Sequence, residues 1–397
     1  MTGYAAPALP LEIELLACAA RPQLDAARAR HLASLAWRIA DWESLRNAAA
    51  RHCLVPLLFT HLEAHAADAV PPEALSALRE DYHLSAEDGL KLAAALLEVL
   101  DALRGAGIEA IPYKGPILAV QAYRRLALRQ FQDLDFLLRQ RDVPRALAPL
   151  AALGYLPELP LEIASSSRLI PGQYLFNHQP TGTILELHTE RTQRYFPVPL
   201  NVDHLAARLV SVPVAGHAVP ALAPADALPI LCVHGSTHFW DRLGWIADIA
   251  ALASDPEMDW DQVFDLANQL GARRMLFLGL DLAGKILACP LPDPVLYRVG
   301  EDAVVPRLVA HVREQLCAAD FASPGIARRL WFRVRMRGTL WQGFTYSLRL
   351  ATVPTEEDWA QARLSGPLAP FYSVLRPFRL LRKYGTGLFR TGSQPPV

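Results

Sequence analysis

Two aspartates, Asp133 and Asp135, are separated by one residue within the apolar run Phe131 to Leu138. The run has the length and composition of a buried strand. Because side chains alternate along a strand, both carboxylates share one face, and Leu134 and Phe136 lie on the other. Neighbouring carboxylates beside an apolar core repel each other and resist desolvation unless a cation neutralises them. The pattern predicts a site for Mg²⁺ or Mn²⁺, with substrate phosphates completing the ligand shell.

A turn upstream of these aspartates could hold the phosphates. Lys114 and Gly115 lie between the apolar run Ile108 to Tyr113 and a helix predicted from about Pro116 to Arg125. The free backbone N–H groups and the dipole at a helix N-terminus favour an anion. Gly115 would let a phosphate approach the backbone, and Lys114 would add a positive charge. A phosphate turn followed by paired acids indicates a nucleotidyl-transfer site.

A third acid, Glu186, lies on a later strand-like run, Thr183 to Thr189, and His188 shares its face. Three carboxylates on neighbouring strands can hold two metal ions, so we predict Asp133, Asp135 and Glu186 as catalytic metal ligands. The alternative for Glu186 is an exposed strand residue paired with an arginine. His188 either contacts the substrate or supports the metal ligands, or it is hydrogen-bonded within the core.

Four further polar residues are candidates for contacts around this site. Arg129 lies four residues before Asp133, so it either reaches a phosphate and orients the acids or is a surface charge at a helix end. His234, His238 and Asp241 recur at i, i+4 and i+7, a helical spacing that can bind a transition metal. The alternative is a polar seam between packed elements. If the seam borders the cleft, we expect His234 and His238 to contact substrate.

The elements that must position these residues follow a simple order: helices, then a small α/β segment, then helices again. The order strand, helix, strand, helix, hairpin predicts an α+β fold with a small mixed sheet. The sequence contains neither GxGxxG nor GxxxxGK(S/T), the motifs of Rossmann folds and P-loops. We therefore predict an N-terminal helical region at residues 1–103, an α/β core at 104–210 and a C-terminal helical region at 211–397.

Turn and capping signals predict where the individual elements end. Ser85 and Asp88 resemble a capping box for a helix that runs to Leu103. The stretch Gln179 to Gly182 predicts a hairpin turn between two strands, and the proline-rich stretch Val212 to Pro224 suggests a domain boundary. Further helices are predicted at Asp142–Leu153, Asp226–Trp240, Leu243–Leu252, Trp260–Leu270 and Arg273–Ala288.

Composition limits the classes of partner. The 397 residues are 52% hydrophobic and 20% charged, with a formal net charge of −1, which is a globular composition. This balance argues against nucleic-acid binding through bulk charge. Twelve Arg or Lys and three acids lie between Arg328 and Arg390. We expect the aromatic residues there to be core and the arginines to be a solvated or intramolecular charge face; the alternative is binding of an RNA or a phosphorylated acceptor. That set of aromatics is Trp331, Phe332, Trp341, Phe344, Tyr346, Phe371 and Tyr372.

Cysteine usage and the termini predict a cytoplasmic protein. The five cysteines are scattered and none forms a CxxC pair, which is typical of buried free thiols in a reducing compartment. Glu12 and Glu14 interrupt the first apolar run, so we expect no signal peptide. We expect no membrane-spanning helix either, because no stretch of eighteen strongly apolar residues occurs.

The sequence also resembles a known family. Lys114 to Leu138, the next helix ending in Leu-Gly-Tyr at Tyr155, and the strand Ile184 to His188 resemble the uncharacterised nucleotidyltransferase family of the DNA polymerase beta superfamily. That family shows a Lys-Gly turn, an Arg before an Asp-hydrophobic-Asp strand, and a later acidic-Leu-His strand. Further stretches that carry the resemblance are Asp41-Trp42, His52 to Leu58, His234 to Ile249, Pro354 to Trp359 and Arg376 to Leu381.

The resemblance implies roles for the candidate residues. Gly115 stands where the superfamily's Gly-Ser turn holds the triphosphate, and the three acids stand where its metal ligands lie. Pro116 takes the place of the usual Ser, so a hydroxyl contact to phosphate is absent and Lys114 would substitute for it. The implied activity is metal-dependent transfer of an NMP from an NTP to an unidentified acceptor, with release of pyrophosphate. Mg²⁺ or Mn²⁺ would be the cofactor.

A second function of another class stays open. The missing Ser after Gly115 and the basic C-terminal helices are compatible with a protein that keeps the fold without catalysis. Such a protein would bind a nucleotide or a partner, as an accessory to a biosynthetic enzyme or as an antitoxin.

Overall fold

A five-stranded mixed sheet carries the predicted site. The computed structural model describes residues 9–158, 173–190, 200–317, 326–352 and 371–384. The strand order is β1-β2-β5-β4-β3, and a separate hairpin pairs β6 with β7. The strands are β1 Ile111–Pro112, β2 Asp133–Leu137, β3 Tyr155–Pro157, β4 Gln173–His178, β5 Ile184–His188, β6 Val210–Val214 and β7 His217–Ala221.

Helices precede, interrupt and follow the sheet, which confirms the predicted α+β class. The first seven are α1 Leu11–Ala19, α2 Ala26–Ala36, α3 Trp42–Arg51, α4 Val55–His65, α5 Pro72–Gly105, α6 Gly115–Tyr123 and α7 Val143–Ala152. The next five are α8 Val202–Ala206, α9 Pro224–Thr237, α10 Leu243–Ala253, α11 Trp260–Gln269 and α12 Arg273–Leu287. The last five are α13 Asp293–Gly300, α14 Val305–Leu316, α15 Ile326–Arg335, α16 Leu340–Thr352 and α17 Tyr372–Tyr384.

The register of the central strand pair sets the position of the acids. Strands β2 and β5 run parallel, with Asp135 opposite Glu186. The alternate residues Leu134 and Phe136 are buried in a core cluster that also contains side chains of α5 and α7. Because one face of the pair is closed by this apolar core, the acids must lie on the other face. The predicted alternation is confirmed.

Most predicted elements form within a few residues of their expected ends, including the hairpin of β4 and β5. The predicted helix start at Ser85 and Asp88 is wrong, because α5 continues without a break from Pro72 to Gly105. Proline at the first helical position begins this helix, and good helix formers flank Ser85 on both sides. A capping box marks a helix start only where the preceding residues leave the helix.

The proline-rich stretch after residue 210 is not irregular chain. Val210 to Val214 and His217 to Ala221 form an antiparallel hairpin, and its alternate residues Val212, Val214 and Val219 are buried in the core cluster of the sheet. Proline is tolerated because a two-stranded hairpin has edges on which a missing N–H removes no ladder bond. The three-part division of the chain stays a prediction.

The C-terminal aromatic residues were only partly predicted. Phe332 and Tyr346 are buried. The prediction is wrong for four others, which are exposed: Trp331 by 37%, Trp341 by 71%, Phe344 by 57% and Phe371 by 57%. The rings of Trp341 and Phe344 stack on each other with centroids 5.8 Å apart. Pro354 to Trp359, which carry part of the family resemblance, lie outside the described residues.

Two further expectations concern the thiols and the membrane. All five cysteines are free; Cys18, Cys232 and Cys289 are buried as predicted, whereas Cys53 and Cys317 are half-buried. None of the helices that the structure describes combines the length and apolar composition that a membrane crossing requires.

Candidate active site

A pocket of about 540 Å³ opens beside the face of β2 and β5 that carries the acids. Its walls come from the end of α3, the turn before α6, the segment before β2, the strands β4 and β5, and the helices α9 and α10. Eight of the nine predicted site residues line it: Lys114, Gly115, Arg129, Asp133, Glu186, His188, His234 and His238. The ninth, Asp135, lies behind this wall with a fully buried side chain.

Asp135 is the most enclosed acid of the site. Its Oδ1 accepts hydrogen bonds from Lys114 Nζ at 2.7 Å and from His188 Nε2 at 2.9 Å. Burial alone would raise the pKa of Asp135, but the charge of Lys114 and the hydrogen bond from His188 hold it well below its usual value. The carboxylate is therefore ionised. Among the described residues, its Oδ2 has no hydrogen-bond partner.

Glu186, Asp135 and His188 form a compact ligand group. One possible ligand atom from each lies within 4.8 Å of the others. In the described ranges, these are the His, Cys, Asp or Glu side chains that come close enough in a group of three to hold a metal ion. His188 Nε2 is 3.2 Å from Glu186 Oε2, which also accepts a hydrogen bond from Gln173 at 2.9 Å. The alternative for Glu186, an exposed strand residue paired with an arginine, is thus wrong, because its carboxylate contacts the Gln173 amide and the His188 imidazole.

His188 is held between the two carboxylates. Desolvation lowers its pKa, but the hydrogen bonds to Asp135 and Glu186 outweigh this, and the net shift is upward. The ring of Tyr113 packs edge-on against it with centroids 5.5 Å apart. His188 therefore combines both readings of the sequence: it is buried, and it contacts two of the predicted metal ligands.

Asp133 lies nearer the pocket than Asp135 on the same face of β2. Burial, and then the negative charge of Asp135, raise the pKa of Asp133 to about 6. Asp133 is not part of the 4.8 Å group. The structure thus brings the three predicted acids to one face but places His188, and not Asp133, closest to the other two.

The turn before α6 has the backbone geometry that glycine permits. Gly115 has φ +54, and a Cβ there would come within 3.2 Å of the Asp133 backbone oxygen. Gly115 is the first residue of α6, Pro116 has no N–H, and the N–H of Ile117 donates to the Lys114 carbonyl at 3.2 Å. A phosphate at the turn would therefore meet the Gly115 N–H and the positive end of the helix dipole. Lys114 occupies the N-cap position without a capping hydrogen bond from its side chain. Its Nζ donates to Asp135 instead; burial lowers the pKa of Lys114, but the charge of Asp135 outweighs this and raises it.

Arg129 is not a surface charge, because its guanidinium is buried and paired with a carboxylate. Its Nε and Nη2 donate to the two oxygens of Asp248 at 2.8 Å and 3.0 Å. Tyr123 donates to the same carboxylate at 2.8 Å. The Arg129 and Asp248 side chains are 12% and 5% exposed, so this ion pair is buried at the pocket wall. The alternative of a solvated helix-end charge is wrong.

His234 and His238 form the opposite wall with Trp245. The two imidazoles have centroids 4.7 Å apart, and each lies just over 5 Å from the Trp245 ring. Desolvation, and then the charge of Lys114, lower the pKa of His234 well below its usual value and that of His238 to about 4, so both are neutral at pH 7. Helix α9 ends at Thr237, and the spacing that includes Asp241 does not continue as a helix. Thus the transition-metal reading is not supported.

Sequence reasoning missed Gln173, Trp245 and Asp248 as site residues. Asp248 and Trp245 lie within a stretch that carried the family resemblance, so the signal was present without a role attached. Gln173 begins a strand that was predicted, and its position opposite His188 in the β4–β5 register brings it to Glu186. A hairpin register drawn from the turn would have found it.

Comparisons with known proteins identify the family of the chain. Residues 39–288 match the model of a family described as uncharacterised nucleotidyltransferase, which confirms the resemblance found in the sequence. No curated protein matches the chain. The chain is similar to a solved antigenic nucleotidyltransferase-like protein from Paracoccidioides brasiliensis, with 15% identity over 54% of this chain and 98% of that chain and a TM-score of 0.32. Every residue named in the pocket falls within the stretch that the family model matches.

Proposed function

Because the chain belongs to the family of uncharacterised nucleotidyltransferases, we propose that it transfers an NMP from an NTP to an acceptor and releases pyrophosphate. The observation that carries this proposal is the group formed by Asp135, Glu186 and His188 beside the Gly115 turn, in one pocket. Acids for a divalent cation and backbone donors for a phosphate are the two features that the chemistry needs.

The donor set fits the divalent metal ion that this chemistry implies. Asp135 is ionised yet has a buried Oδ2 with no partner among the described residues, which favours an additional cation. We propose Asp133, Asp135 and Glu186 as ligands of Mg²⁺ or Mn²⁺, with His188 beside them. Bound there, the metal would neutralise charge on the phosphate oxygens and on the departing pyrophosphate.

The remaining groups would bind and orient the two substrates. Gly115 would offer the helix N-terminus to the triphosphate, and the charged side chains of Lys114 and Arg129 line the same pocket. An acceptor hydroxyl, amine or phosphate would attack the α-phosphorus as the bond to pyrophosphate breaks. For a hydroxyl or amine, the proton would pass to Glu186. The neutral His234 and His238 wall would contact the acceptor or the base.

Binding and turnover can be tested separately. Calorimetry with each NTP in the presence of Mg²⁺ or Mn²⁺ measures binding. Incubation of an α-labelled NTP with pools of hydroxyl, amine and phosphate compounds, and with proteins, measures transfer and pyrophosphate release. We expect Asp133→Asn to abolish transfer with an unchanged circular dichroism spectrum. Asp101→Asn, a control at an exposed aspartate of α5, should be fully active. Full activity of Asp133→Asn would refute the assignment.

One observation favours the second candidate, a non-catalytic binding protein. Lys114 Nζ already lies 2.7 Å from Asp135, so a cation of the protein's own partly neutralises the acids. Nucleotide binding without transfer to any acceptor pool would support this candidate. It would then bind a nucleotide or a partner as an accessory or antitoxin-like protein.

A further inference from the structure

We infer that Asp248 is a positioning residue for nucleotide binding, because it holds Arg129 with one amino group free to bind a phosphate. This inference rests on the proposed function, since the phosphate is that of the nucleotide. Asp248 is on α10, and Arg129 lies four residues before Asp133, the first residue of β2. The two are 119 residues apart in sequence.

The geometry of the pair determines which guanidinium nitrogen of Arg129 makes no hydrogen bond to Asp248. A guanidinium has five N–H donors in a rigid plane, and a carboxylate that takes Nε–H and Nη2–H occupies one edge of that plane. Both hydrogens of Nη1 then point away from Asp248. Nη1 of Arg129 is buried and has no hydrogen-bond partner in the described part of the chain.

The surroundings of Nη1 indicate an anionic ligand. Arg129 lines the pocket together with Gly115 and Asp133. A buried donor without a partner is costly, and a guanidinium binds phosphate oxygens strongly, so a phosphate at the turn would satisfy it. Asp248 meanwhile balances the charge of Arg129, so that the cation stays buried when no nucleotide is present.

Asp248 also connects this arginine to the phosphate turn. Tyr123 lies in the last turn of α6, the helix that begins at Gly115, and its hydroxyl donates to Asp248 Oδ1. One carboxylate therefore receives three hydrogen bonds, from Arg129 and from the helix whose N-terminus would bind the triphosphate. We expect loss of the Asp248 charge to misplace Arg129 and to affect phosphate binding first.

The test is a double-mutant cycle of Arg129→Ala and Asp248→Asn. Calorimetry measures the affinity of each variant for three ligands: ATP with Mg²⁺, tripolyphosphate with Mg²⁺, and adenosine. Arg129→Ala should weaken ATP and tripolyphosphate binding by about 10- to 100-fold, as expected for a lost hydrogen bond to a charged group. Asp248→Asn should weaken both to a similar extent and leave adenosine binding unchanged. The double variant should bind no more weakly than Arg129→Ala alone, because both changes remove the same contact.

Controls separate positioning from a loss of folding. Asp255→Asn removes an aspartate just beyond the same helix, paired with Arg124 at 3.7 Å, and should bind ATP as the unmodified protein does. If Asp248→Asn does not fold, Tyr123→Phe keeps the ion pair and should weaken ATP binding several-fold. Unchanged ATP affinity in a folded Asp248→Asn, or additive losses in the double variant, would overturn the inference alone. Failure of the unmodified protein to bind ATP or tripolyphosphate would overturn the proposed function, and this inference with it.

Discussion

The buried ion pair between Lys114 and Asp135 gives the sharpest prediction for stability. Their side chains are 11% and 0% exposed, and Lys114 Nζ is 2.7 Å from Asp135 Oδ1. In Lys114→Met the side-chain stem is retained and the charge is lost. Removing one partner of a buried pair costs about 3–5 kcal/mol, because the other charge is left in a medium of low dielectric constant. His188 remains on Asp135, so we expect the lower end, about 3 kcal/mol.

The free energy of unfolding can be measured by urea denaturation, followed by tryptophan fluorescence, in EDTA at neutral pH. The control is Lys91→Met, since Lys91 is a solvent-exposed lysine paired with Glu87 on α5, and its urea midpoint should not change. Added Mg²⁺ or Mn²⁺ should raise the midpoint of Lys114→Met more than that of the unmodified protein, because the metal no longer competes with an ammonium group. A Lys114→Met midpoint equal to that of the unmodified protein would refute the buried ion pair.

Three further predictions concern the backbone and a buried histidine. In Gly244→Ala the new Cβ would lie 2.7 Å from the His52 backbone oxygen, so the free energy of unfolding should fall by about 1–3 kcal/mol. By contrast, in Gly284→Ala the nearest atom to the new Cβ is 3.9 Å away, so the free energy of unfolding should rise by about 0.5–1 kcal/mol in the same urea assay. Gly115→Ala should weaken ATP binding in calorimetry, because φ +54 strains an L-residue. Burial lowers the pKa of His52 from 6.5 to about 4, so the unfolded chain binds a proton that the folded chain excludes. The contribution of His52 to stability should be full above pH 6.5 and should fall by about 3 kcal/mol as the pH drops to 4, so His52→Asn should lose less stability than the unmodified protein over this range of pH.

The local part of the site could be predicted from the sequence. Side-chain alternation alone placed Asp133 and Asp135 on one face, and the same argument placed Glu186 with His188. A glycine and a proline at a strand–helix junction were enough to predict the Gly115 turn. These signals are contained within a few residues, and burial of Leu134 and Phe136 allowed one orientation of the strand.

Contacts between distant segments could not be predicted in the same way. Nothing near Arg129 in the sequence indicates that Asp248 will pair with it, because the pair depends on how α10 packs. The resemblance pointed to both residues without indicating their contact. Likewise, the proline-rich composition of Val212 to Pro224 suggested a domain boundary and gave no sign of the hairpin that burial of alternate valines favours. In both cases packing decided the structure, and the local sequence did not contain that information.

The contact between His52 and the start of α10 has a consequence for the behaviour of the whole chain. Leu243 and Gly244 donate their backbone N–H groups to His52 Nδ1 and to its carbonyl oxygen, at 3.2 Å and 3.0 Å. The pocket wall at the end of α3 is thereby hydrogen-bonded directly to the wall at the start of α10, and this contact does not involve the sheet. A nucleotide that stabilised either wall would therefore slow proteolysis of both, so cleavage sites nearly two hundred residues apart should become protected at the same ligand concentration.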